Sequence, residues 1–187
     1  MDNLLPLKNS SLVNILTLRY DPSLKPNLPR KTPNDFKINN VIPDTKFIEK
    51  TICDNIEQNL EKFTEKKISI ALSGGVDSTL ALSLTRKVKP DIEIEAISIK
   101  FADSVDETTA ASKIANKFNA NHSILYLENY LSELPKAISI IKLPFWDLHW
   151  YYVAKKSKTL SNVLISGDGG DELFSGYTFR YEKFLSI

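Results

Sequence analysis

Leu72-Ser73-Gly74-Gly75-Val76-Asp77-Ser78 is the stretch that decides the fold of this 187-residue chain. It follows a short apolar run, residues 68–72, and leads into residues 79–86, which have the composition of a helix. A strand, a glycine turn and a helix in this order form an anion site. Glycine lets the backbone approach a phosphate, and the first turn of the helix has unpaired N–H donors. The stretch therefore predicts a phosphate-binding loop.

The loop differs from the two commonest phosphate loops. A Walker A loop ends in Gly-Lys-Ser/Thr, and a dinucleotide loop carries G-x-G-x-x-G after its strand. Neither pattern is present here, and the acid Asp77 stands where the Walker lysine would be. We therefore expect the phosphates to be bound through a metal ion rather than by a fixed cation.

Composition excludes several classes of protein. Lys and Arg number 24 and Asp and Glu 23, and the formal net charge of +1 argues against electrostatic capture of nucleic acid or acidic membranes. The single cysteine, Cys53, excludes an internal disulfide and a paired-thiol metal site. No apolar run approaches the ~18 residues of a membrane span, and the N-terminus lacks the pattern of a signal peptide. We expect a cytoplasmic protein.

Predicted strands alternate with predicted helices from Asp44 onward. The strands are 68–72, 92–99, 122–127 and 162–165; the helices are 44–66, 76–88, one from 103–107 onward, 129–141 with a break at Pro135, 148–160 and one from 172 onward. Such alternation predicts an α/β protein, a three-layer sandwich with a mostly parallel sheet. Both glycine loops would then lie beyond carboxyl ends of strands, where such sheets bind ligands.

The chain divides into two regions at its densest run of prolines. Residues 1–43 are predicted to form a proline-rich N-terminal arm, with one possible strand at 11–19, and residues 44–187 the nucleotide domain. Asp44 is expected to cap the first helix of that domain. An apolar stripe on this helix is expected to pack on the sheet: Phe47, Ile48, Ile52, Ile56, Leu60 and Phe63. The helix after 103–107 is expected to begin with a capping box, Ser104 and Glu107, and to bury Ala110, Ile114, Ala115 and Phe118.

A second glycine loop follows the last predicted strand, at residues 166–177. It holds three acids and four glycines, a poor core segment but a plausible site for phosphates and Mg²⁺. Magnesium takes one or two protein carboxylates and completes its shell with phosphate oxygens and water. Asp77 and Asp171, one from each loop, are the candidate metal ligands. The alternative is two ordinary turns with acids that cap helices.

The two loops together resemble a known family. Residues 73–78, Ser-Gly-Gly-Val-Asp-Ser, are similar to the signature of the PP-loop ATP pyrophosphatases. Residues 166–177, Ser-Gly-Asp-Gly-Gly-Asp-Glu-Leu-Phe-Ser-Gly-Tyr, resemble the second motif of the asparagine synthetase family, which includes β-lactam synthetase. Residues 96–101, 121–122 and 144–147 also resemble that family, so the similarity covers about residues 45–187.

The resemblance implies an ATP site and a reaction. Leu72 and Ile99 would surround adenine, and the backbone of Gly167 would lie near the adenosine. Pyrophosphate would be held by Ser73, Gly74, Gly75 and Ser78, and Mg²⁺ by Asp77 and Asp171. Asp168 takes the place of a glutamate that helps to position or activate the amine, and is the candidate catalytic residue. The implied chemistry is adenylation of a carboxylate, followed by amide formation.

The sequence departs from the family in three places. Asp2 stands where glutamine-dependent members have a cysteine, so nitrogen is expected from ammonia, an amine or a separate glutaminase. The chain stops at Ile187, before the helical region that supplies the family's catalytic lysine, so truncation at the C-terminal side or a separate C-terminal helical chain is expected. Lys183 is read as a solvent-facing residue. Residues 148–152 are bulky, which indicates either aromatic core packing or a differently shaped substrate pocket. His122 and His149 are expected to be structural or polar-contact residues.

Three functions are compatible with the sequence. The first is an asparagine synthetase-like, ATP-dependent amide-forming ligase domain with aspartate as the expected carboxylate. The second is an ATP- and Mg²⁺-binding module without complete catalysis on its own. The third is another PP-loop enzyme such as a tRNA-modifying thiolase, against which the lack of paired cysteines and of a basic face counts.

Overall fold

The computed structural model describes residues 9–18, 44–102, 106–141, 148–174 and 176–177. In chain order the elements are α1 (Asn9–Leu18), α2 (Thr45–Leu60), β1 (Lys67–Ala71), α3 (Val76–Val88), β2 (Glu93–Phe101), α4 (Thr108–Lys117), β3 (Asn121–Leu127), α5 (Leu134–Ile141), α6 (His149–Ser157), β4 (Leu164–Ile165) and α7 (Gly170–Phe174). No helix among the residues described is long and apolar enough to cross a membrane.

The four strands form one parallel sheet in the order β3-β2-β1-β4. Ile70 in β1 pairs with Ala96 on one side and with Ile165 on the other, so β1 lies inside the sheet. Because the chain leaves β1 toward β2 and later returns to β4 on the opposite side, the strand order reverses next to β1. Open sheets of this kind bind ligands beyond the carboxyl ends of the strands at such a reversal.

Helices cover both faces of the sheet, which confirms the predicted three-layer α/β fold. On one face, Ile68 and Ile70 of β1 pack with Leu82 of α3 and with Ala111 and Ala115 of α4, all of them buried. The two alanines let α4 approach the sheet closely. The opposite face has its own core cluster, formed by Ala137 of α5 with Leu148 and Tyr152 at α6, against Ile99 and Leu125.

The prediction of a strand at residues 11–19 was wrong, because α1 occupies Asn9–Leu18. Leu12, Ile15 and Leu16 are spaced three and four residues apart, which is the period of a helix rather than the alternation of a strand. The rest of the predicted proline-rich arm, residues 1–8 and 19–43, lies outside the described residues.

Helix α2 begins as predicted and ends earlier. Asp44 caps it by accepting hydrogen bonds from the backbone N–H of Lys46 at 3.0 Å and Phe47 at 3.1 Å. The helix ends at Leu60 rather than near residue 66. Leu60 is buried, but Phe47 is 66% and Phe63 is 49% exposed. The two phenylalanines therefore do not belong to the predicted stripe, because α2 packs chiefly on α3 rather than across the sheet.

The next helix begins later than predicted, at Thr108. The carboxylate of Asp106 accepts hydrogen bonds from the backbone N–H of Thr108 at 2.9 Å and from its hydroxyl at 2.5 Å. These bonds hold the pKa of Asp106 below its usual range. The buried face contains Ala111 and Ala115, whereas Ala110 is exposed. Ser104 of the proposed capping box lies outside the described residues.

The later elements differ mainly in length. Residues 130–133 form a turn where the first of two short helices was expected, and α5 begins at Leu134, next to the start at Pro135 that was expected for the second. Helix α6 is shorter than 148–160, and β4 has only two residues. The helix predicted from 172 onward is the short α7, which starts at Gly170. The predicted loop at 143–147 falls outside the described part of the chain.

Arg86 links two connecting segments at the N-terminal ends of the strands. Its guanidinium donates to four backbone carbonyl oxygens, those of Pro90, Ile92, Phe118 and Asn119, at 2.7 to 2.9 Å. These carbonyls lie between α3 and β2 and between α4 and β3. One side chain near the C-terminus of α3 therefore joins two connections of the fold.

Candidate active site

The two glycine loops meet at the carboxyl ends of β1 and β4, which are neighbours in the sheet. A Cβ atom on Gly167 would lie 2.7 Å from the backbone carbon of Asp77 and 2.7 Å from the backbone nitrogen of Ser78. Any side chain at this position would overlap the start of α3. Gly167 is therefore required by the close approach of the two loops.

Gly170 makes a similar approach to the side chain of Asp77. Its Cβ would lie 2.6 Å from the carboxyl carbon of Asp77 and 2.7 and 2.8 Å from the two carboxylate oxygens. A Cβ on Gly176 would overlap the carboxylate of Asp171, and its backbone N–H donates to the Asp171 carbonyl at 3.0 Å. The glycines of the second loop thus leave room for the two acids that the sequence singles out.

The first loop is held by its own serines. The Ser78 hydroxyl lies 3.0 Å from the Ser73 hydroxyl, accepts from the Ser73 N–H at 3.2 Å and donates to the Gly75 carbonyl at 3.2 Å. Gly74 has a φ of +86°, a conformation that favours glycine, and its Cβ would come within 3.4 Å of the Ala111 backbone nitrogen. The loop is therefore a compact turn that contacts the first turn of α4.

A pocket of about 350 Å³ opens above this turn. It is lined by seven of the residues that the sequence analysis named: Leu72, Ser73, Asp77, Ser78, Ile99, Gly167 and Asp168. Gly74 and Gly75 are not among its lining residues and shape the turn instead. Leu72, Ile97 and Val153 are buried and give the pocket an apolar wall, while the start of α3 gives it a polar one.

A second pocket of about 390 Å³ adjoins the first and is strongly acidic. The two pockets share Asp77, Trp150, Gly167 and Asp168. The second adds Asp171, Glu172 and Tyr177. Asp77 and Asp171 therefore line one space, and their role as ligands of one ion stays a prediction.

The donor set fits a magnesium ion that takes most of its ligands from a bound nucleotide. Mg²⁺ uses one or two carboxylates with phosphate oxygens and water, rather than an all-protein cage. Asp77 and Asp171 can supply the two carboxylates. Within the described residues, no group of three or more His, Cys, Asp or Glu side chains is arranged to hold a metal ion alone.

The aromatic stretch at 148–152 is divided between the core and the first pocket. Leu148 and Tyr152 are buried in the second core cluster, as core packing predicts. His149 and Trp150 instead line the first pocket, with ring centroids 5.5 Å apart. The backbone N–H of His149 donates to the Tyr130 hydroxyl at 3.2 Å. Consecutive residues of α6 point to different surroundings, so one helix supplies both core and pocket.

Several lining residues were not singled out as site residues by the sequence. They are Ala71, Ile97, Ser98, Phe101, Glu107, Thr108, His149, Trp150, Val153, Gly169, Gly170, Glu172 and Tyr177. Residues near the carboxyl end of β2 and at the start of α4 could have been found from the sequence, because parallel sheets bind ligands at the carboxyl ends of their strands. His149 and Trp150 belong to the bulky stretch 148–152, for which the sequence left core packing and a pocket open. The packing of α6 on the sheet decides that these two residues line the pocket.

His122 is held by hydrogen bonds on both ring nitrogens, in agreement with a polar-contact role. Its Nε2 lies 2.8 Å from the hydroxyl of Ser98, and its Nδ1 lies 2.8 Å from the hydroxyl of Ser112. Burial lowers the pKa of the imidazole below its ordinary value of 6.5. The ring is therefore kept neutral near physiological pH.

Comparison with known proteins gives one family. The model of the family described as "Asparagine synthase" matches residues 58–186. The chain is 30% identical over 150 residues to asparagine synthetase [glutamine-hydrolyzing] 1 of Bacillus subtilis, which covers 76% of this chain and 23% of that protein. It is 33% identical over 111 residues to putative asparagine synthetase [glutamine-hydrolyzing] 2 of Methanocaldococcus jannaschii, covering 57% and 22% respectively. The chain thus spans less than a quarter of the length of these relatives.

Solved structures share the fold at lower identity. The NH₃-dependent NAD synthetase of Campylobacter jejuni superposes with a TM-score of 0.52 at 20% identity, over 73% of this chain and 62% of that one. The glutamine-dependent NAD⁺ synthetase of Acinetobacter baumannii, solved with ADP, gives a TM-score of 0.56 at 15% identity over 76% and 29%. With the parallel sheet described above, these likenesses identify an α/β PP-loop fold.

Proposed function

Because this chain belongs to the asparagine synthase family, we propose that it binds ATP with Mg²⁺ and provides the synthetase domain of an amide-forming ligase. One observation carries the proposal: the two glycine loops meet at Asp77, beyond the carboxyl ends of adjacent strands. A pocket with an apolar wall on one side and the start of a helix on the other suits a nucleotide.

The parts of ATP are assigned as the family resemblance implies, and the lining of the pocket supports the assignment in part. Adenine would lie against Leu72 and Ile99, with the backbone of Gly167 close to the adenosine. The pyrophosphate would lie at the first loop, among the residues Ser73, Gly74, Gly75 and Ser78. The N-cap of α3 is Gly75, and no described side chain caps this end, so its first N–H groups are left for an anion.

Asp77 and Asp171 would hold the Mg²⁺ ion. When bound, the ion would neutralise charge that develops on the departing pyrophosphate. Both carboxylates line the second pocket, next to the proposed pyrophosphate position. The chain's own contribution is to orient the triphosphate through backbone N–H groups and serine hydroxyls, so that the α-phosphorus faces the acceptor side of the pocket.

The proposed reaction has two steps. A substrate carboxylate oxygen attacks the α-phosphorus of ATP, and the bond from that phosphorus to the bridging oxygen breaks to release pyrophosphate. An amine then attacks the acyl-adenylate, and AMP leaves with the formation of an amide. We propose aspartate as the carboxylate and Asp168, which lines both pockets, as the residue that positions the amine. The nitrogen would come from ammonia, an amine or a separate glutaminase.

ATP–pyrophosphate exchange with candidate carboxylic acids tests this function. Adenylation is reversible, so labelled pyrophosphate should enter ATP only when the correct acid is present. Aspartate-dependent exchange is the expected result. Exchange that requires a different acid would retain the reaction and replace the substrate, whereas exchange without any acid would contradict carboxylate activation.

A second candidate is an ATP- and Mg²⁺-binding module that depends on another chain for catalysis. The observation that favours it is that no lysine is among the described residues that line either pocket. Tight Mg-ATP binding without exchange, followed by exchange when a C-terminal helical partner is added, is the outcome this candidate predicts. The cytoplasmic location inferred from the sequence remains a prediction for either candidate.

A further inference from the structure

A chain of hydrogen bonds runs from α4 to the first glycine loop. Ser112 in α4 contacts His122 in β3, His122 contacts Ser98 in β2, and the Ser98 hydroxyl lies 2.5 Å from the carbonyl oxygen of Leu72. Leu72 is the residue immediately before Ser73 and follows the last strand pair, Ala71 with Ile97. The chain therefore ends at the peptide unit where β1 becomes the loop.

The direction of each bond follows from the groups present. The Leu72 carbonyl can only accept, so Ser98 uses its single hydroxyl proton as the donor there. The Ser98 oxygen must then accept from His122, which requires the proton on Nε2. A neutral imidazole with Nε2–H has a lone pair on Nδ1, so Ser112 is the donor at the far end. Every bond in the series thus points toward the loop.

The peptide unit at the end of this series is held from both sides. In a trans peptide the carbonyl of Leu72 and the N–H of Ser73 point in opposite directions. The carbonyl accepts from Ser98, and the N–H donates to the Ser78 hydroxyl at 3.2 Å. Ser78 in turn donates to the Gly75 carbonyl. The orientation of this peptide fixes where the Ser73 side chain and the turn after it lie.

We propose that His122 is a positioning residue for the nucleotide site, acting through Ser98 to orient the Leu72–Ser73 peptide at the start of the phosphate loop. The proposal rests on the proposed function, because it assumes that this loop binds the phosphates of ATP. His122 is not a lining residue of either pocket, whereas Ser98 is. The imidazole therefore acts through another side chain rather than on the nucleotide.

Nucleotide affinity of matched variants tests the proposal in the intact protein, with Mg-ATP titrated by calorimetry. Ser98→Ala and His122→Leu should each weaken binding about tenfold, the effect of one lost positioning hydrogen bond. His122→Gln keeps a donor near the position of Nε2 and should bind within about threefold of the unaltered protein. The control is Ser69→Ala: Ser69 is also a buried sheet serine, but it contacts Ser161 instead of the loop.

The pattern among the variants separates positioning from general stability. Ser69→Ala is expected to leave the affinity unchanged even where it lowers the melting temperature. If His122→Leu bound Mg-ATP like Ser69→Ala, or if His122→Gln were as weak as His122→Leu, the positioning role would be wrong. If the unaltered protein bound no Mg-ATP, the proposed function would fail instead.

Two measurements that need no nucleotide complete the test. Nitrogen NMR of the unaltered protein should show the neutral Nε2–H tautomer of His122, and the Nδ1–H tautomer would overturn the direction of the bonds. Amide hydrogen exchange at Ser73 should accelerate in His122→Leu and stay unchanged in Ser69→Ala. Equal exchange in these two variants would show that the imidazole does not hold the peptide.

Discussion

Polar groups at the two ends of the parallel strands have different kinds of partner. We call the side of the sheet where the strands begin the amino edge and the side where they finish the carboxyl edge. At the amino edge, the Arg86 guanidinium donates to four carbonyls, and Lys67 pairs with Glu93 at 2.8 Å and Glu95 at 3.0 Å. At the carboxyl edge, Asp77 and Asp171 face a pocket instead. The same strands thus end in a region closed by protein partners and a region open to a ligand.

Hydrogen bonds at the amino edge shift the pKa values of the charged groups there. Burial acts to raise the pKa of Glu95, but hydrogen bonds from Lys67 and Asn121 outweigh it and hold the pKa below its usual range. The pKa of Lys67 is raised by its hydrogen bonds to Glu93 and Glu95. The charged groups at the amino edge are thus stabilised by other side chains of the protein and need no ligand. Charged side chains therefore do not by themselves indicate a binding site. A binding site is indicated where charged side chains face a pocket instead of a protein partner.

The largest expected effect is on stability, at the amino edge. Arg86→Ala should lower the free energy of unfolding by about 3 kcal/mol, because four backbone carbonyls lose a charged donor. Urea denaturation measures this change. Thr85→Val is the matched control, since the buried Thr85 hydroxyl has no hydrogen-bond partner among the described residues. Thr85→Val should leave the free energy of unfolding equal or slightly higher. A large loss in this variant would contradict the stabilising role given to Arg86.

The next effect is on ligand binding, at the carboxyl edge. Asp77→Ala and Asp171→Ala should each weaken Mg²⁺-dependent ATP binding about a hundredfold, or ~2.7 kcal/mol, with little change in stability. Calorimetric titration with and without Mg²⁺ measures it. Asp91→Ala, an acid at the amino edge just before β2, should bind normally. Unchanged affinity in both pocket variants would refute a shared ion.

A smaller effect is expected from the contact between the loops. Gly170→Ala would place a Cβ within 2.8 Å of both Asp77 carboxylate oxygens. The displaced carboxylate should weaken Mg-ATP binding about tenfold. Gly169→Ala separates this clash from backbone strain, because its φ is +92° but its Cβ would meet nothing within 4 Å. Equal losses of affinity in the two variants would show that strain, not the position of Asp77, is responsible.

The smallest expected effect is on the pH dependence of stability and comes from His122 in β3. Because burial lowers the pKa of His122 below 6.5, the unfolded chain binds this proton more readily than the folded one. The associated stability is fully present above pH 6.5 and should decline as the pH falls toward the folded pKa, by at most ~1.4 kcal/mol per pH unit. His122→Gln should show a flatter pH profile in this window. Glu95, whose pKa is lowered from 4.5, contributes stability that is present above pH 4.5 and is lost as the pH falls through its folded pKa.

Much of the fold was predictable because local signals agreed with one another. Helix α3 has the predicted bounds, Val76–Val88, since Gly75 precedes it and Pro90 follows it closely. The order of strands and helices, and with it the parallel sheet, came from alternation alone. α1 was missed because its short apolar run was interpreted as a strand, although Leu12, Ile15 and Leu16 follow the period of a helix.

Most of the candidate site was predictable because its residues lie in loops with a sequence signature, whereas Ile99 in β2 was named from the family resemblance. Seven of the named residues line the first pocket, and Asp171 lines the second. His149 and Trp150 carry no such signature, and their neighbour Tyr152 in the same helix is buried. Which side of α6 faces the pocket depends on how the helix packs on the sheet.

The layered α/β architecture, the two glycine loops and the acids within them follow from the sequence, because strand period, helix period and turn chemistry are local properties. Three contacts follow from the packing instead: Gly167 and Gly170 lie against Asp77, Arg86 binds the carbonyls at the amino edge, and His122 joins α4 to the Leu72–Ser73 peptide. These contacts join residues distant in sequence, up to 93 positions apart for Asp77 and Gly170. Their partners are set by strand order and helix packing rather than by neighbouring residues.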